Sequence, residues 1–559
     1  KVSPDGKKLA FVQGGQVWLF NFDSSSKLEE KLFSSRGSQN SLKWSPDGSM
    51  LAFVSARDNY SFIGVYHLNK KQVQFIAPGV DIDIEPAWAP DGASLAFIRI
   101  PPAKDLLPFV AVRERQPWSI HTYNFSTSTH KEIWKASAGK GSALFTELPT
   151  ENLLMWTFNN QITFPWEKNG WQLLYSVDPA TGKTSQIITG EGEIENVTIS
   201  NDRKTIFYAT NIGDIHRRHI WKTDLSNGKT VQITKGDGAE FSPVITQNGL
   251  AVFHSTATRP SWPAIITNTG EIKDIAIDQF PKSFPHNQMV IPQVITITAT
   301  DGMQVPAQLF LPKNYKQGQK APAIIYLHGG SRRQMLPAFH YSQYYSHAYA
   351  LNQYFASQGY VVLSVNYRSG IGYGMEFREA LDYGATGASE VNDVIGAGLY
   401  LRSRPDVDPA KIGLYGGSYG GYLTAFGLAK ASDLFAAGVD IHGVHDWNEG
   451  IRNFVPKYNP EKRSDFAKKA FESSPLHYVN TWRSPVLLIH GDDDRNVNFN
   501  ETVTLAEQLR ARNVIVEQLV MPDEVHSFLL HRNWLQAYNA TFNFLDKHLN
   551  RKNKSLFHP

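Results

Sequence analysis

Gly416-Gly417-Ser418-Tyr419-Gly420 has the spacing that sets a serine up as a nucleophile. Small neighbours let the chain bend sharply and leave the hydroxyl protruding, provided a strand leads in and a helix leads out. Both flanks are present, the strand-like run Lys411–Tyr415 before the motif and the helical stretch YLTAFGLAKA after it. The start of that helix would also hold backbone N–H groups near any negative charge that develops beside Ser418.

A serine hydroxyl is a weak nucleophile at neutral pH, so it needs a base, and the base needs an orienting acid. Where a sheet carries its serine on such a turn, the acid and then the histidine follow in chain order. The strand PVLLIH ends in Gly491-Asp492-Asp493-Asp494-Arg495-Asn496-Val497, which sets a carboxylate at a strand's end. Placement alone does not choose among the three aspartates. The next strand, VIVEQLV, leads into MPDEVHSFLLHRNW, where His526 lies in the loop directly after it and His531 at the start of the last helix. The chain has 18 histidines, so place rather than residue type singles out His526. Two oxyanion donors are required as well. The N–H of Tyr419 is one, and the loop His328-Gly329-Gly330 supplies the other, from Gly330, because glycines allow a close backbone approach.

These residues need a scaffold, and the C-terminal half spells one out. Apolar strands at Ala323–Leu327, Tyr360–Val365, Lys411–Tyr415, Ala437–Ile441, Val486–Ile489 and Val514–Leu519 alternate with helical patterns such as Glu390–Arg402 and Glu501–Arg512. Continuous apolar strands joined by helices predict a parallel sheet covered on both faces, with functional residues at the carboxyl ends of its strands. Ahead of it, VITITATDGMQVPAQLFLP reads as a hairpin turning at Asp301-Gly302.

The N-terminal half has a different period. Ser3-Pro4-Asp5-Gly6 runs into LAFV, Trp44-Ser45-Pro46-Asp47-Gly48 into LAFVS, and Trp88-Ala89-Pro90-Asp91-Gly92 into LAFIR. Weaker copies stand at Ser200-Asn201-Asp202 and Thr246-Gln247-Asn248-Gly249, and a degenerate one at Pro149-Thr150-Glu151-Asn152. Proline fixes φ and Asp-Gly makes a tight turn, so each copy is a turn feeding a buried strand. A spacing of roughly 42–60 residues is that of four-stranded propeller blades. The fold expected is thus an N-terminal all-β propeller of about six to seven blades over residues 1–284. A C-terminal domain of parallel-sheet type follows over residues 285–559.

Composition sets the outer bounds. A chain of 559 residues with 42% apolar and 19% charged residues is globular and exceeds one ordinary core. A net charge of +3 without a basic block argues against nucleic-acid binding. Zero cysteines exclude disulfides, thiolate metal sites and a cysteine nucleophile. No apolar run is long enough to span a bilayer. His442-x-x-His445 and Asp492–Asp494 do not complete a ligand set at a recognisable spacing, so no metal and no cofactor are expected. The opening residues KVSPDGKKLAFV read as the middle of a repeat, which leaves room for a leader upstream. The compartment stays open, with periplasm or secretion favoured if a leader has been removed, and a homo-oligomer is left open too.

The SPDG-type repeats, His328-Gly329-Gly330, GGSYGGY at Gly416–Tyr422 and the final aspartate and histidine motifs together resemble the prolyl oligopeptidase family of serine peptidases. GGSYGGY is similar to the dipeptidyl- and acylaminoacyl-peptidase branches. The resemblance implies a β-propeller followed by an α/β-hydrolase domain, acting on short peptides through a Ser-Asp-His triad and an acyl-enzyme. It selects Asp494, because Asp494 with Val497 matches the family's acid motif, and His526 as the base. It further implies an apolar pocket from Tyr419, Val444, Trp447 and Val497, and a substrate-carbonyl contact at Asn496. Two departures stand out: Ser331 replaces the usual proline after H-G-G, and no paired-glutamate motif for a free amino terminus is evident, the adjacent Glu29-Glu30 lying in a solvated turn. The rival readings are an esterase-type acyl hydrolase, which shares the triad chemistry, and a catalytically inactive propeller that serves as an interaction protein.

Overall fold

The structure, a computed structural model, describes residues 1–23, 29–103, 106–146, 153–247, 249–313 and 318–550. Its N-terminal half consists of short antiparallel strands that follow one another in sequence order. The first three strands form one sheet, Met155–Trp156 to Gln186, Ile194–Ile199 to Gln232 and Ala239–Thr246 to Asp274 each form a four-stranded sheet, and the strands from Ser38 to Lys135 form an eight-stranded sheet. That last sheet is two antiparallel groups of four, joined by the single parallel pair Ser61 and Ile82.

The repeated turns carry a repeated set of hydrogen bonds. Ser3 Oγ donates to Asp5, Ser45 Oγ to Asp47 and Ser200 Oγ to Asp202, at 2.5, 2.6 and 2.6 Å. The same hydroxyls accept from the N–H groups of Lys8, Met50 and Thr205, each at 2.9 Å. The hydroxyl thus closes the turn onto the start of the next strand, which explains why serine opens the motif. Tryptophans tie successive groups together: the indoles of Trp44, Trp88 and Trp156 donate to the carbonyls of Lys1, Lys43 and Ala87 at 2.9, 3.0 and 3.0 Å. Trp156 extends the pattern to a fourth group, although the turn expected before it, Pro149–Asn152, lies outside the described residues, as does Asn248 of the last copy.

The chain leaves the last of these sheets at Asp274 and enters a second architecture at Gln293. Gln293–Thr298 and Gln304–Phe310 form the expected antiparallel hairpin. They open an eight-stranded sheet whose other strands, in spatial order, are Val361–Val365, Ala321–Leu327, Val407–Gly417, Ala437–Ile441, Val486–Gly491 and Val516–Met521. These six pair in parallel. Helices cover both faces. The cluster containing Leu423 and Phe426 packs on one side, and the cluster containing Phe355, Phe544 and Leu545 on the other. Val361–Val365, Ala437–Ile441 and Val486–Gly491 are buried along their whole length, which is why their sequences show no polar alternation, whereas the edge strand Val516–Met521 keeps Gln518 and Val520 exposed. Among the described residues no helix is long and apolar enough to cross a membrane.

The two halves are joined by polar contacts buried between them. Arg378 meets Glu167 through two hydrogen bonds of 2.7 Å. Asn211 donates to the Gly372 carbonyl at 2.7 Å, Glu193 accepts the Gly372 N–H at 2.8 Å, and Arg218 bridges Glu195 and Gln334 at 2.9 and 2.8 Å.

Candidate active site

Ser418 stands between the central strand Val407–Gly417 and the helix Tyr419–Lys430, with φ 59° and ψ −119°. A non-glycine residue held there is strained by about 1–3 kcal/mol, a cost that surrounding packing must offset. The glycines around it make that packing feasible. A Cβ on Gly416 would lie 2.5 Å from the Leu327 carbonyl oxygen, and one on Gly420 would collide with the same atom. The strand and helix can cross this closely only without side chains. Tyr422 N–H donates to the Ser418 carbonyl at 3.0 Å, so the N–H groups of Tyr419 to Gly421 are not used within the helix.

Asp494 and His526, 32 residues apart, meet at 2.6 Å between Oδ2 and Nδ1. The carboxylate is held from all sides. Its Oδ1 accepts the N–H groups of Asn496 and Val497 at 2.8 and 2.9 Å, and its Oδ2 also lies 3.1 Å from His490 Nε2. Burial alone would raise its pKa, but the hydrogen bonds from His490, His526 and Val497 prevail and hold it well below the usual carboxylate range. It therefore stays charged. With Nδ1 donating to Asp494, the imidazole of His526 keeps Nε2 free as an acceptor. His526 and Ser418 line one cavity of about 630 Å³. Of the other acids in the run, Asp492 accepts the Asp523 N–H and Asp493 pairs with Arg495, both at the surface. His531 opens the last helix, His531–Leu549, and its ring faces His347.

The His328-Gly329-Gly330 loop passes beside the serine. A Cβ on Gly329 would stand 3.3 Å from the Ser418 Cβ and 2.9 Å from the Gly417 carbonyl oxygen. Gly330, next along, lines the cavity together with Tyr419. The Gly330–Ser331 peptide is cis.

Tyr419, Val444, Trp447, Val497 and Asn496 all reach this cavity. The Tyr419 and Trp447 rings lie 5.6 Å apart, and the Tyr419 hydroxyl donates to Glu390, whose carboxyl burial pushes up to about 7. Beneath them, His442 and His445 diverge. His445 Nε2 lies 2.5 Å from Asp440, whereas His442 Nε2 meets the Tyr344 hydroxyl at 2.9 Å and its ring lies 4.2 Å from that of His526. Burial, with the neighbouring His526 and His490, holds His442 well below the usual imidazole range, so it is neutral. Among the described residues, His442, Asp494 and His526 are the three whose ligand-type atoms approach within 4.8 Å of one another, and two of them are the pair above.

Sequence reasoning assigned no site residue to the N-terminal half, yet that half walls the cavity. The Phe109 ring lies 4.6 Å from Trp447 and 6.1 Å from Tyr419. Phe145 and Glu167 line the cavity too, with the Arg378 guanidinium 3.8 Å over the Phe145 ring centre. Glu29 and Glu30, the adjacent pair in the sequence, are exposed at an edge strand and do not line the cavity. Phe109 and Glu167 sit in irregular stretches between strands, so no periodicity marks them.

Comparison with known proteins agrees with this architecture. Residues 346–552 match the prolyl oligopeptidase family, residues 1–99 the TolB beta propeller domain, and residues 100–264 the dipeptidyl peptidase IV N-terminal region. The chain is similar to dipeptidyl-peptidase 5 of Porphyromonas gingivalis, 29% identical over 268 residues, a stretch covering 45% of this chain and 37% of that protein. It is 30% identical over 269 residues to dipeptidyl aminopeptidase BIII of Pseudoxanthomonas mexicana, covering 45% and 37% of the two chains. The matches thus span well under half the length of these relatives. The fold is similar to that of a puromycin-hydrolyzing peptidase from Mycobacterium tuberculosis, with a TM-score of 0.79 at 17% identity, covering 98% of this chain and 85% of that one.

Proposed function

We propose that this chain, which belongs to the prolyl oligopeptidase family through its residues 346–552, is a serine peptidase that hydrolyses short peptides through Ser418, Asp494 and His526. The observation that carries the reading is the 2.6 Å contact between His526 and a buried Asp494 whose pKa is held low, with His526 and Ser418 lining one cavity. His526 takes the Ser418 proton as the hydroxyl attacks the substrate carbonyl, and Asp494 stabilises the imidazolium that results. The N–H groups of Tyr419 and Gly330 hold the oxyanion. His526 then protonates the leaving amine, and water, activated by the same imidazole, hydrolyses the acyl-enzyme.

The residue before the cleaved bond enters the apolar pocket of Tyr419, Val444, Trp447 and Val497, and Asn496 offers its amide to a substrate carbonyl. The N-terminal domain, taken as residues 1–284 with about six to seven blades, covers the active edge of the hydrolase domain of residues 285–559. Because the N-terminal half contributes Phe109, Phe145 and Glu167 to the cavity lining, it restricts entry to short or extended peptides. Similarity to dipeptidyl peptidases supports removal of short amino-terminal fragments. The test is turnover of a set of short peptides, with free and blocked amino termini, by the chain and by Ser418→Ala. Cleavage of short peptides that is lost in the variant supports the reading; equal cleavage by both proteins contradicts it.

A further inference from the structure

The loop that brings Gly330 to the serine continues into two arginines, and the two have different fates. Arg332 turns toward Glu379. It makes bonds of 2.9 and 2.8 Å to the two carboxylate oxygens and one of 2.9 Å to the Tyr383 hydroxyl. Arg378, also on the cavity wall, is matched by Glu167. Arg333 has no such partner. Its Nη1 donates to the Arg332 carbonyl at 2.7 Å, and its guanidinium lies 5.9 Å from the Tyr345 ring centre. Among the described residues no carboxylate stands within 4 Å of it. It is half-buried and lines the same cavity as Ser418. Arginine is the side chain whose planar fork fits a carboxylate with two parallel hydrogen bonds.

Its position along the cavity says which part of a substrate it meets. The acyl side is the apolar pocket of Tyr419, Trp447 and Phe109. The leaving group departs toward the imidazole that protonates it, so the wall holding His526 faces the leaving fragment. Tyr344 and Tyr345 belong to that wall. Tyr344 bonds His442, whose ring lies 4.2 Å from His526, and the Tyr344 and Tyr345 rings are 5.1 Å apart. Tyr345 also approaches the serine, its hydroxyl standing 3.2 Å from where a Gly329 Cβ would be. Arg333 stands against Tyr345 and thus on the leaving-group side.

We infer that Arg333 is a binding residue for a carboxylate on the leaving fragment, foremost the free C-terminal carboxylate of a short peptide. The inference rests on the peptidase reading and names the substrate class within it: peptides that end soon after the cleaved bond. A peptide that continues further carries its carboxylate past the guanidinium at roughly 3.3–3.6 Å per residue and forfeits the contact.

The experiment compares matched short peptides with the same apolar residue before the cleaved bond, ending in a neutral residue as free acid or as amide, or in aspartate as amide. The free acid is expected to exceed the neutral amide in kcat/KM by about tenfold to a hundredfold, the range of a hydrogen bond to a charged group. In Arg333→Gln that ratio is expected to collapse toward one, and in Arg333→Lys to fall part-way. Because a ratio within one protein is read, a partial loss of folded enzyme does not disturb it. Rescue by the aspartate amide alone, with the free acid no better than the neutral amide, overturns the assignment to the main-chain terminus. Equal turnover of acid and neutral amide, or a preference that survives in Arg333→Gln, overturns the inference while leaving the peptidase reading intact. No turnover of any peptide overturns both.

Discussion

The Phe109 ring, from a loop of the N-terminal half, lies 4.6 Å from the Trp447 ring of the C-terminal half, tilted 36° to it. A side chain that walls the proposed acyl pocket thus comes from the half of the molecule that carries none of the proposed catalytic residues. Replacing Phe109 with alanine opens one wall and removes an aromatic contact worth about 0.5–1.5 kcal/mol. We expect KM for an apolar substrate to rise about threefold to tenfold, with kcat changed less than about twofold. Steady-state kinetics on one peptide check this, and an unchanged KM contradicts it.

Glu167 and Arg378, 211 residues apart, form a buried pair with two bonds of 2.7 Å. Removing one partner of such a pair leaves a desolvated charge and costs about 3–5 kcal/mol. Arg378 keeps a weaker bond of 3.1 Å to Glu379, so Glu167→Ala belongs at the low end of that range. Denaturant midpoints and limited proteolysis of the interdomain loops are the measurements. A midpoint like that of the parent chain would refute a structural role for the pair.

Much of this fold was legible from local sequence. The turn motif revealed itself because Ser, Pro, Asp and Gly each meet a specific backbone demand, and the hydrogen bonds of Ser3, Ser45 and Ser200 repeat accordingly. The inner parallel strands were readable because burial on both faces favours apolar residues, as in Val361–Val365 and Val486–Gly491. Ser418 and His526 could be placed from the elements beside them, whereas Asp494 needed the family resemblance to separate it from Asp492 and Asp493. What stayed hidden depends on long-range packing. Phe109, Glu167 and His442 lie in loops or at strand ends, and their roles arise only when distant chain segments meet. Arg333 carried no signal in the sequence, because only packing pairs Glu379 with Arg332 and leaves Arg333 on the cavity.

A pH dependence follows from Glu193, which is fully buried beneath the interface and accepts the Gly372 N–H at 2.8 Å. Burial pushes its carboxyl up from 4.5 to about 7, with Arg378 and Arg218 opposing. Since the folded value is the higher one, the native state keeps a proton that the unfolded chain releases first. Its stabilising contribution is complete below 4.5 and is lost as the pH rises toward about 7. Glu193→Gln removes that titration. Between about pH 5 and about pH 8 the parent chain should lose stability relative to the variant, on the order of 1–3 kcal/mol. Melting curves at both pH values decide, and parallel behaviour of the two proteins speaks against the assignment.

Asp494→Asn probes the orientation of His526. The amide keeps the shape but loses the charge, so the imidazole is no longer held with Nε2 free or stabilised when protonated. A drop in kcat of about 10³–10⁴ with KM little changed is expected. A loss smaller than about tenfold would mean that His526 is oriented by other groups.

The most direct test of the central claim is covalent. A fluorophosphonate reacts with a serine only when a neighbouring base has raised its nucleophilicity and an oxyanion site accepts the phosphoryl oxygen. One adduct per chain is predicted, on the peptide that contains Ser418, absent from Ser418→Ala and formed far more slowly by His526→Ala. A folded protein that takes up no adduct, or one labelled equally in Ser418→Ala, would contradict the account.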